Sequence, residues 1–252
     1  MRRVLCEKFP TGDRCVELSE DEAVHAAQVL RLRDGDIVEA LNGQGQARTV
    51  SLEVRNKGRV TIQDLGASTV KRESSEGEVV PLCLEVAVLK GDAMDWVVEK
   101  SVELGVRSLQ PVVTDHTVVQ MDKKGPEKFV ARWQKIADQA LKQCGRLQRM
   151  EIFQPIAVQE LQVVKDGSRF WCHEGLRDDA VSLVEAVRAE MQAASPEFRV
   201  LIGPEGGWSE KEKVVIETLG AKAVSLGPQV LRAETAVVFS ASVVAGLWRE
   251  NV

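Results

Sequence analysis

The residues best suited to chemistry lie in two glycine-proline stretches whose first glycines, Gly203 and Gly227, are twenty-four positions apart. The first, LIGPEGGWSEKE (201–212), follows the apolar run FRVLI. Gly203, Gly206 and Gly207 let the chain turn sharply and let a ligand approach the backbone. Ser209 followed by Glu212 has the spacing of a capping box, which starts a helix at about Glu210. A phosphate is a poor fit for this loop. GxxxxGK[ST] is missing, and so is a GxGxxG with its ribose-binding acid. Glu205 stands inside the loop, and Glu210 and Glu212 occupy the helix's first turn, where they repel an anion. The loop therefore suits a ligand that is neutral or positive near the glycines.

The second stretch, AVSLGPQVLRAETAVVFSASVVAGLW, repeats the design. A short apolar strand ends at Leu226, Gly227-Pro228 turn the chain, and a loop carries Arg232, Glu234 and Thr235. The helix expected from about Ala236 is small and apolar nearly all round, the mark of a helix buried in the core or against another subunit. Taken from the residues alone, Arg232 and Glu234 are either a structural ion pair beside a helix cap or a reactive pair at the mouth of a site.

Two kinds of surroundings must position these loops. Up to residue 73 the chain is β-rich: DIVEAL, ARTVSLEV and RVTIQDL are separated by the turns RDGD, NGQGQ and RNKG, with Asn42-Gly43 a hairpin signal. One helix, AVHAAQVLRL, follows a capping box at Ser19 and Glu22. Several short strands with one helix predict a small barrel over 1–73. The polar stretch VKRESSEGEVVP (70–81) is the expected boundary. From 74 to 252, the runs CLEVAVL, SLQPVVT, EIFQPI, RFWC, FRVLI and AVSLG alternate with helical patterns at DWVVEKSVELG and EKFVARWQKIADQALKQ. Such alternation predicts an α/β domain with a parallel sheet and ligands at the carboxyl ends of its strands.

Composition excludes several classes. With 252 residues and 28% charged residues the chain has ordinary soluble character, and no apolar run approaches the ~20 residues of a bilayer span. The start, MRRVLCEKFP, has no apolar core of a secretory signal. Five scattered cysteines without CxxC spacing fit free thiols in a reducing cytoplasm. Three distant histidines and no HExxH give no reason to expect a metal. The net charge of −5 argues against strong, sequence-blind attachment to nucleic acid. Residues 1–73 are neutral, with 12 basic and 12 acidic side chains, so a nucleic-acid partner would need a local basic face or a structured particle.

LIGPEGGWSEKE together with SLGPQVLRAETA resembles the RsmE family of ribosomal RNA methyltransferases, of the SPOUT class. The likeness continues through KGDAMDWVVEKSVELGV (90–106), RWQKIADQALKQCGR (132–146) and HAAQVLRL (25–32). It implies a PUA-like RNA-binding β-barrel followed by a SPOUT-type α/β domain with a C-terminal trefoil knot, acting as a homodimer in the cytoplasm. It also implies transfer of a methyl from S-adenosylmethionine to N3 of a uridine in small-subunit (16S) ribosomal RNA, and the acidic net charge makes the assembled subunit, rather than naked RNA, the expected substrate. The alternatives are a SPOUT enzyme aimed at another RNA target such as a ribose 2′-hydroxyl, and a non-catalytic RNA-binding assembly factor. Under the resemblance, the cofactor loop comprises Ile202, Gly203, Pro204, Gly206, Gly207, Leu226, Gly227, Val230 and Leu231. Arg232 stabilises the deprotonated uracil, Glu234 orients Arg232 or accepts the proton, Glu205 is a weaker candidate base, and Glu174 reads as a solvated turn acid, with contact to the cofactor as the alternative. Arg2, Arg3, His25, Arg31 and Lys90 are the expected RNA contacts, with ordinary surface charge the alternative for Arg31 and a hydrogen-bonded core histidine the alternative for His25. The chain departs from the family's pattern at Gln229 and near His116, where an arginine is usual, at Met150, where a proline is usual, and at Ala93, where a basic residue is frequent.

Overall fold

The computed structural model describes residues 2–55, 59–75, 77–119, 121, 125–173, 180–191 and 197–251. The chain divides into two compact units, Met1–Ser75 with Asp138–Arg149, and Glu76–Ala137 with Met150–Val252.

The first unit contains β1 (Arg3–Leu5), β2 (Val16–Glu17), α1 (Glu20–Val24), β3 (Ile37–Leu41), β4 (Gln46–Val54), β5 (Val60–Asp64) and β6 (Lys71–Glu73). Its sheet runs β1-β3-β4-β5-β2, with β6 added to β4. β1 lies parallel to β3 and the other pairings are antiparallel. Period-2 alternation turns Val50 and Leu52 of β4 inward. Val50 and Leu52 then join Val4, Val38, Val60 and Ile62 in one core. The NGQGQ turn joins β3 to β4 as expected. Asn42 Oδ1 accepts hydrogen bonds from Gln44 N at 2.8 Å and Gln46 N at 3.0 Å, and Gly43 and Gly45 take φ of 69° and 94°.

The helix at AVHAAQVLRL differs from expectation. α1 ends at Val24 and passes into a π-helical turn over His25–Val29. Ser19 Oγ accepts from Glu22 N at 3.3 Å, but Glu22 does not return the bond to complete the box. Its carboxylate is buried and accepts from Leu5 N at 3.1 Å and from Lys142 Nζ at 2.8 Å. Arg3 ties the same segment down by donating to the carbonyls of Lys142 (2.8 Å) and Gln143 (2.9 Å). These contacts are why residues 138–149 cluster with the first unit.

The second unit contains β7 (Val80–Ala87), α2 (Asp92–Glu103), β8 (Val106–Val113), the start of α3 (Pro126–Cys144), β9 (Glu151–Ile152), β10 (Ile156–Ala157), β11 (Ser168–Cys172), α4 (Leu183–Glu190), β12 (Phe198–Ile202), α5 (Glu210–Thr218), β13 (Lys222–Val224) and α6 (Ala233–Arg249). The sheet order is β10-β8-β7-β12-β11-β13, with β9 also on β8, and every pairing is parallel. All eight residues of β7 are buried, as a central strand covered on both faces requires. α6 packs against α2, α4 and β7. On another side, Ile216 of α5 meets Leu201, Trp171, Val112 and Val158. Phe170 and Phe198 stack with centroids 6.4 Å apart within the core.

One polar cluster interrupts this interior. Glu85 of β7 is fully buried, and Arg169 of β11 grips it with bonds of 2.8 and 2.9 Å, while Arg199 of β12 approaches at 3.4 Å. A carboxylate there requires a guanidinium, because a lone buried charge costs several kcal/mol.

α6 begins at Ala233, three residues before the sequence pattern suggested, with Arg232 as its N-cap. It is also not covered on all sides: Thr235, Phe239, Ser242 and Gly246 form an exposed stripe. Among the described residues, no helix is long and apolar enough to cross a membrane.

Candidate active site

A parallel sheet sends all its carboxyl ends to one edge. β12, β11 and β13 are neighbours, so the chain leaving each of them converges on the same place. There the loops after β12 and β13, with Cys172 at the end of β11 and His173 just beyond it, surround a cavity of about 1010 Å³. Its lining brings together Ile202, Gly203, Pro204, Glu205, Gly206 and Gly207 from the first glycine loop. From the second come Leu226, Gly227, Gln229, Val230, Leu231, Arg232 and Glu234.

The first loop is shaped by local bonds. Gly207 N donates to Pro204 O at 3.0 Å, closing a turn. The Ser209–Glu212 capping box is complete: Glu212 N donates to Ser209 Oγ at 3.3 Å and Ser209 N to Glu212 Oε2 at 2.9 Å. Gly203 has no room for a side chain, since a Cβ there would lie 2.6 Å from Trp208 Nε1. Trp208 in turn packs against the cluster around Leu201 and Ile216. In the second loop Gly227 N donates to Ser225 Oγ at 3.2 Å, and Gly227 takes a φ of +125°, which favours glycine.

Arg232 is exposed at the N-terminus of α6 and makes no side-chain capping bond. No ion pair joins it to Glu234 among the described residues, so the structural Arg–Glu pair is not formed. Glu234 is half-buried, and its Oε2 is buried with no hydrogen-bond partner among the described residues. A buried acceptor left open beside a cavity calls for a donor from a ligand. The lining carries two carboxylates, Glu205 and Glu234, against Arg232 and Lys213, and Lys213 is already paired with Glu210 at 2.6 Å. This is not the cationic nest of a phosphate site. Apolar Ile202, Leu226 and Leu231, loop backbone and an open carboxylate oxygen suit a flat heteroaromatic ligand with a positive centre. Burial pushes the Cys172 thiol up to about 12, so the lining thiol is neutral.

The candidate RNA contacts have different surroundings. Lys90 is exposed just past β7, in the second unit. In the first unit, Arg2 lies 3.6 Å from Asp36, and Arg3 is bonded to Glu39 at 2.9 Å besides the carbonyls above. Arg3 is therefore committed to the fold. His25 is half-buried, and burial first, then Lys142, lower its pKa against the opposing pull of Glu22. Arg31 is exposed and holds a left-handed backbone, φ 53°, where the chain leaves the π-helical turn. Glu174 lies outside the described residues.

Sequence reasoning missed Cys172, His173, Ser182, Trp208 and Lys213 in the lining. The rule of carboxyl strand ends already pointed to RFWCH. Trp208 and Lys213 required knowing how α5 turns back from the loop.

An α/β unit of parallel strands with a neutral cavity at their carboxyl edge, in one chain with a β-rich unit, defines the class. The chain belongs to the family described as RNA methyltransferase domain, whose profile matches residues 76–245. Residues 18–65 match the RNA methyltransferase PUA domain. Among curated relatives, the chain is 26% identical to "Ribosomal RNA small subunit methyltransferase E" of Bacillus subtilis, over 95% of this chain and 91% of that one. It is 28% identical to the protein of the same name in Mycobacterium bovis, over 96% and 90%. Among solved structures it is similar to the small subunit methyltransferase E of Neisseria gonorrhoeae bound to S-adenosyl methionine. That match has a TM-score of 0.81 and 28% identity, covering 98% of each chain.

Proposed function

We propose that this chain transfers a methyl group from S-adenosylmethionine to N3 of a uridine in small-subunit ribosomal RNA, as a cytoplasmic homodimer. The observation that carries the reading is Glu234 Oε2, buried without a hydrogen-bond partner among the described residues, in the same lining as two glycine loops and Arg232. When bound, the cofactor supplies an electrophilic methyl on a sulfonium. Gly203, Gly206, Gly207 and Gly227 admit it close to the backbone, with Ile202, Leu226 and Leu231 against its apolar surface. Glu205 and Glu234 tolerate its positive charge.

N3 of uracil is a weak nucleophile until its proton leaves. Arg232, a permanent cation with no ion pair among the described residues, stabilises the negative charge that then spreads over the uracil carbonyls. Glu234, released from any role in orienting Arg232, accepts the N3 proton on its open oxygen. Arg31, Lys90, Arg2 and His25 are the RNA contacts in this reading, and Arg3 drops out of it because its donors are used within the fold. The exposed stripe Thr235, Phe239, Ser242 and Gly246 is the surface for the second copy.

The test is labelled S-adenosylmethionine with small subunits from cells lacking the enzyme, followed by mass spectrometry of the nucleosides. Label in 3-methyluridine, reduced about 100-fold by Arg232→Ala, supports the reading. Label in a 2′-O-methyl nucleoside overturns the specificity, and cofactor binding without transfer to any RNA points to an assembly factor.

A further inference from the structure

The glycine loop after β12 is held from outside by a turn that the methyl-transfer chemistry does not use. Residues 114–117, TDHT, follow β8 directly. Thr114 N donates to Thr117 Oγ1 at 2.9 Å, Thr117 N donates to Thr114 O at 3.0 Å, and the two hydroxyls meet at 3.0 Å. The turn is thus closed on itself and presents its two central residues to a neighbour. Both are bonded to the segment 207–212. Asp115 N donates to Glu212 Oε1 at 2.9 Å, and Ser209 Oγ donates to Asp115 Oδ2 at 2.6 Å. His116 Nδ1 lies 2.8 Å from Gly207 O. A carbonyl only accepts, so Nδ1 carries the hydrogen in this contact. Gly206 lies against the same side chain: a Cβ on it would fall 3.1 Å from His116 Cβ.

We infer that Asp115 and His116 are positioning residues that clamp the Gly206–Ser209 segment in the shape that receives the cofactor. Each bond anchors a different point: Gly207 through its carbonyl, Ser209 through its hydroxyl, and the helix cap through Glu212. Without them the loop would keep its own turn from Gly207 N to Pro204 O but lose its registration against β8. Neither side chain lines the cavity, so the effect on binding is indirect. The inference rests on the methyltransferase reading for the identity of the ligand, but not for the existence of the clamp.

The test compares His116→Ala, His116→Asn and Asp115→Ala with the unaltered protein in two measurements. One is hydrogen exchange of the 206–209 amides without any ligand; the other is equilibrium binding of labelled S-adenosylmethionine. Loss of one clamping bond is expected to speed exchange in this segment and to weaken cofactor binding roughly fivefold. Asparagine, whose Nδ2 occupies the place of Nδ1, restores both. Both altered side chains are exposed, and an unchanged melting temperature shows that the variants fold. Exchange in His116→Ala equal to that of the unaltered protein would overturn the clamp. If the unaltered protein retains no labelled cofactor, the methyltransferase reading fails while the exchange data still judge the clamp.

Discussion

Lys142 Nζ lies 2.8 Å from Glu22 Oε2, and both side chains are buried although 120 positions separate them in the chain. Glu22 also accepts the amide of Leu5, so one carboxylate fastens α1, β1 and the end of α3 together. Lys142→Met leaves that carboxylate buried and uncompensated, and is expected to destabilise the first unit by about 3–5 kcal/mol. Glu22→Gln in the same chain should recover part of the loss, since glutamine keeps an acceptor for Leu5 N without the charge. Urea titration of the single and double variants measures both effects.

Gly203→Ala is expected to displace the Trp208 indole, which stands 2.6 Å from where the new Cβ would sit. Overpacking of this kind costs about 1–3 kcal/mol. Because Trp208 joins the loop to the core, cofactor affinity by calorimetry should fall together with melting temperature.

Phe239 is 39% exposed in the middle of α6. Phe239→Asp places a charge on the stripe assigned to the second copy and is expected to yield a monomer in light scattering, with little change in the circular dichroism of the folded chain. A monomeric unaltered protein at micromolar concentration would remove the dimer from the proposal.

Acid should weaken the first unit in two stages. Burial, then Lys142, hold His25 below its ordinary value of 6.5. The folded state thus prefers the neutral ring, and its contribution is present above that value and lost as pH falls below it. Burial raises the pKa of Glu39, but hydrogen bonds from Arg72 and Arg3 outweigh it and leave the group below 4.5. Its contribution is present above 4.5 and lost at lower pH still. Melting temperatures in a pH series should show the upper stage disappear in His25→Gln and the lower stage shrink in Glu39→Gln.

Local chemistry made much of this molecule readable. The Ser209–Glu212 box, the NGQGQ turn and the strand at FRVLI are decided by residues a few positions apart. Both glycine loops were legible for the same reason, and their convergence followed from parallel strands. What escaped was decided by distant partners. Glu22 has the spacing of a capping box, yet a buried lysine 120 positions away competes for its carboxylate. α6 starts early because Arg232 takes an extended cap conformation that no nearby polar side chain announces. EIFQPI reads as one strand, but it forms two short ones, β9 and β10, both against β8. The sequence near His116 departs from the family pattern but gives no sign of the histidine's carbonyl partner, Gly207, 91 positions away.

The first unit is discontinuous in sequence, since residues 138–149 belong to it. During synthesis on the ribosome its strands emerge long before the peptide that supplies Lys142 and the carbonyls gripped by Arg3. At about 5–20 residues per second, the interval between residues 75 and 149 lasts several seconds. Through that time Glu22 has no lysine and β1 lacks its anchor, so the β-rich unit cannot reach its final stability before residue 149 has been made. A chain that stops at residue 75 should behave as a nascent form held permanently at that stage, open to proteolysis at β1.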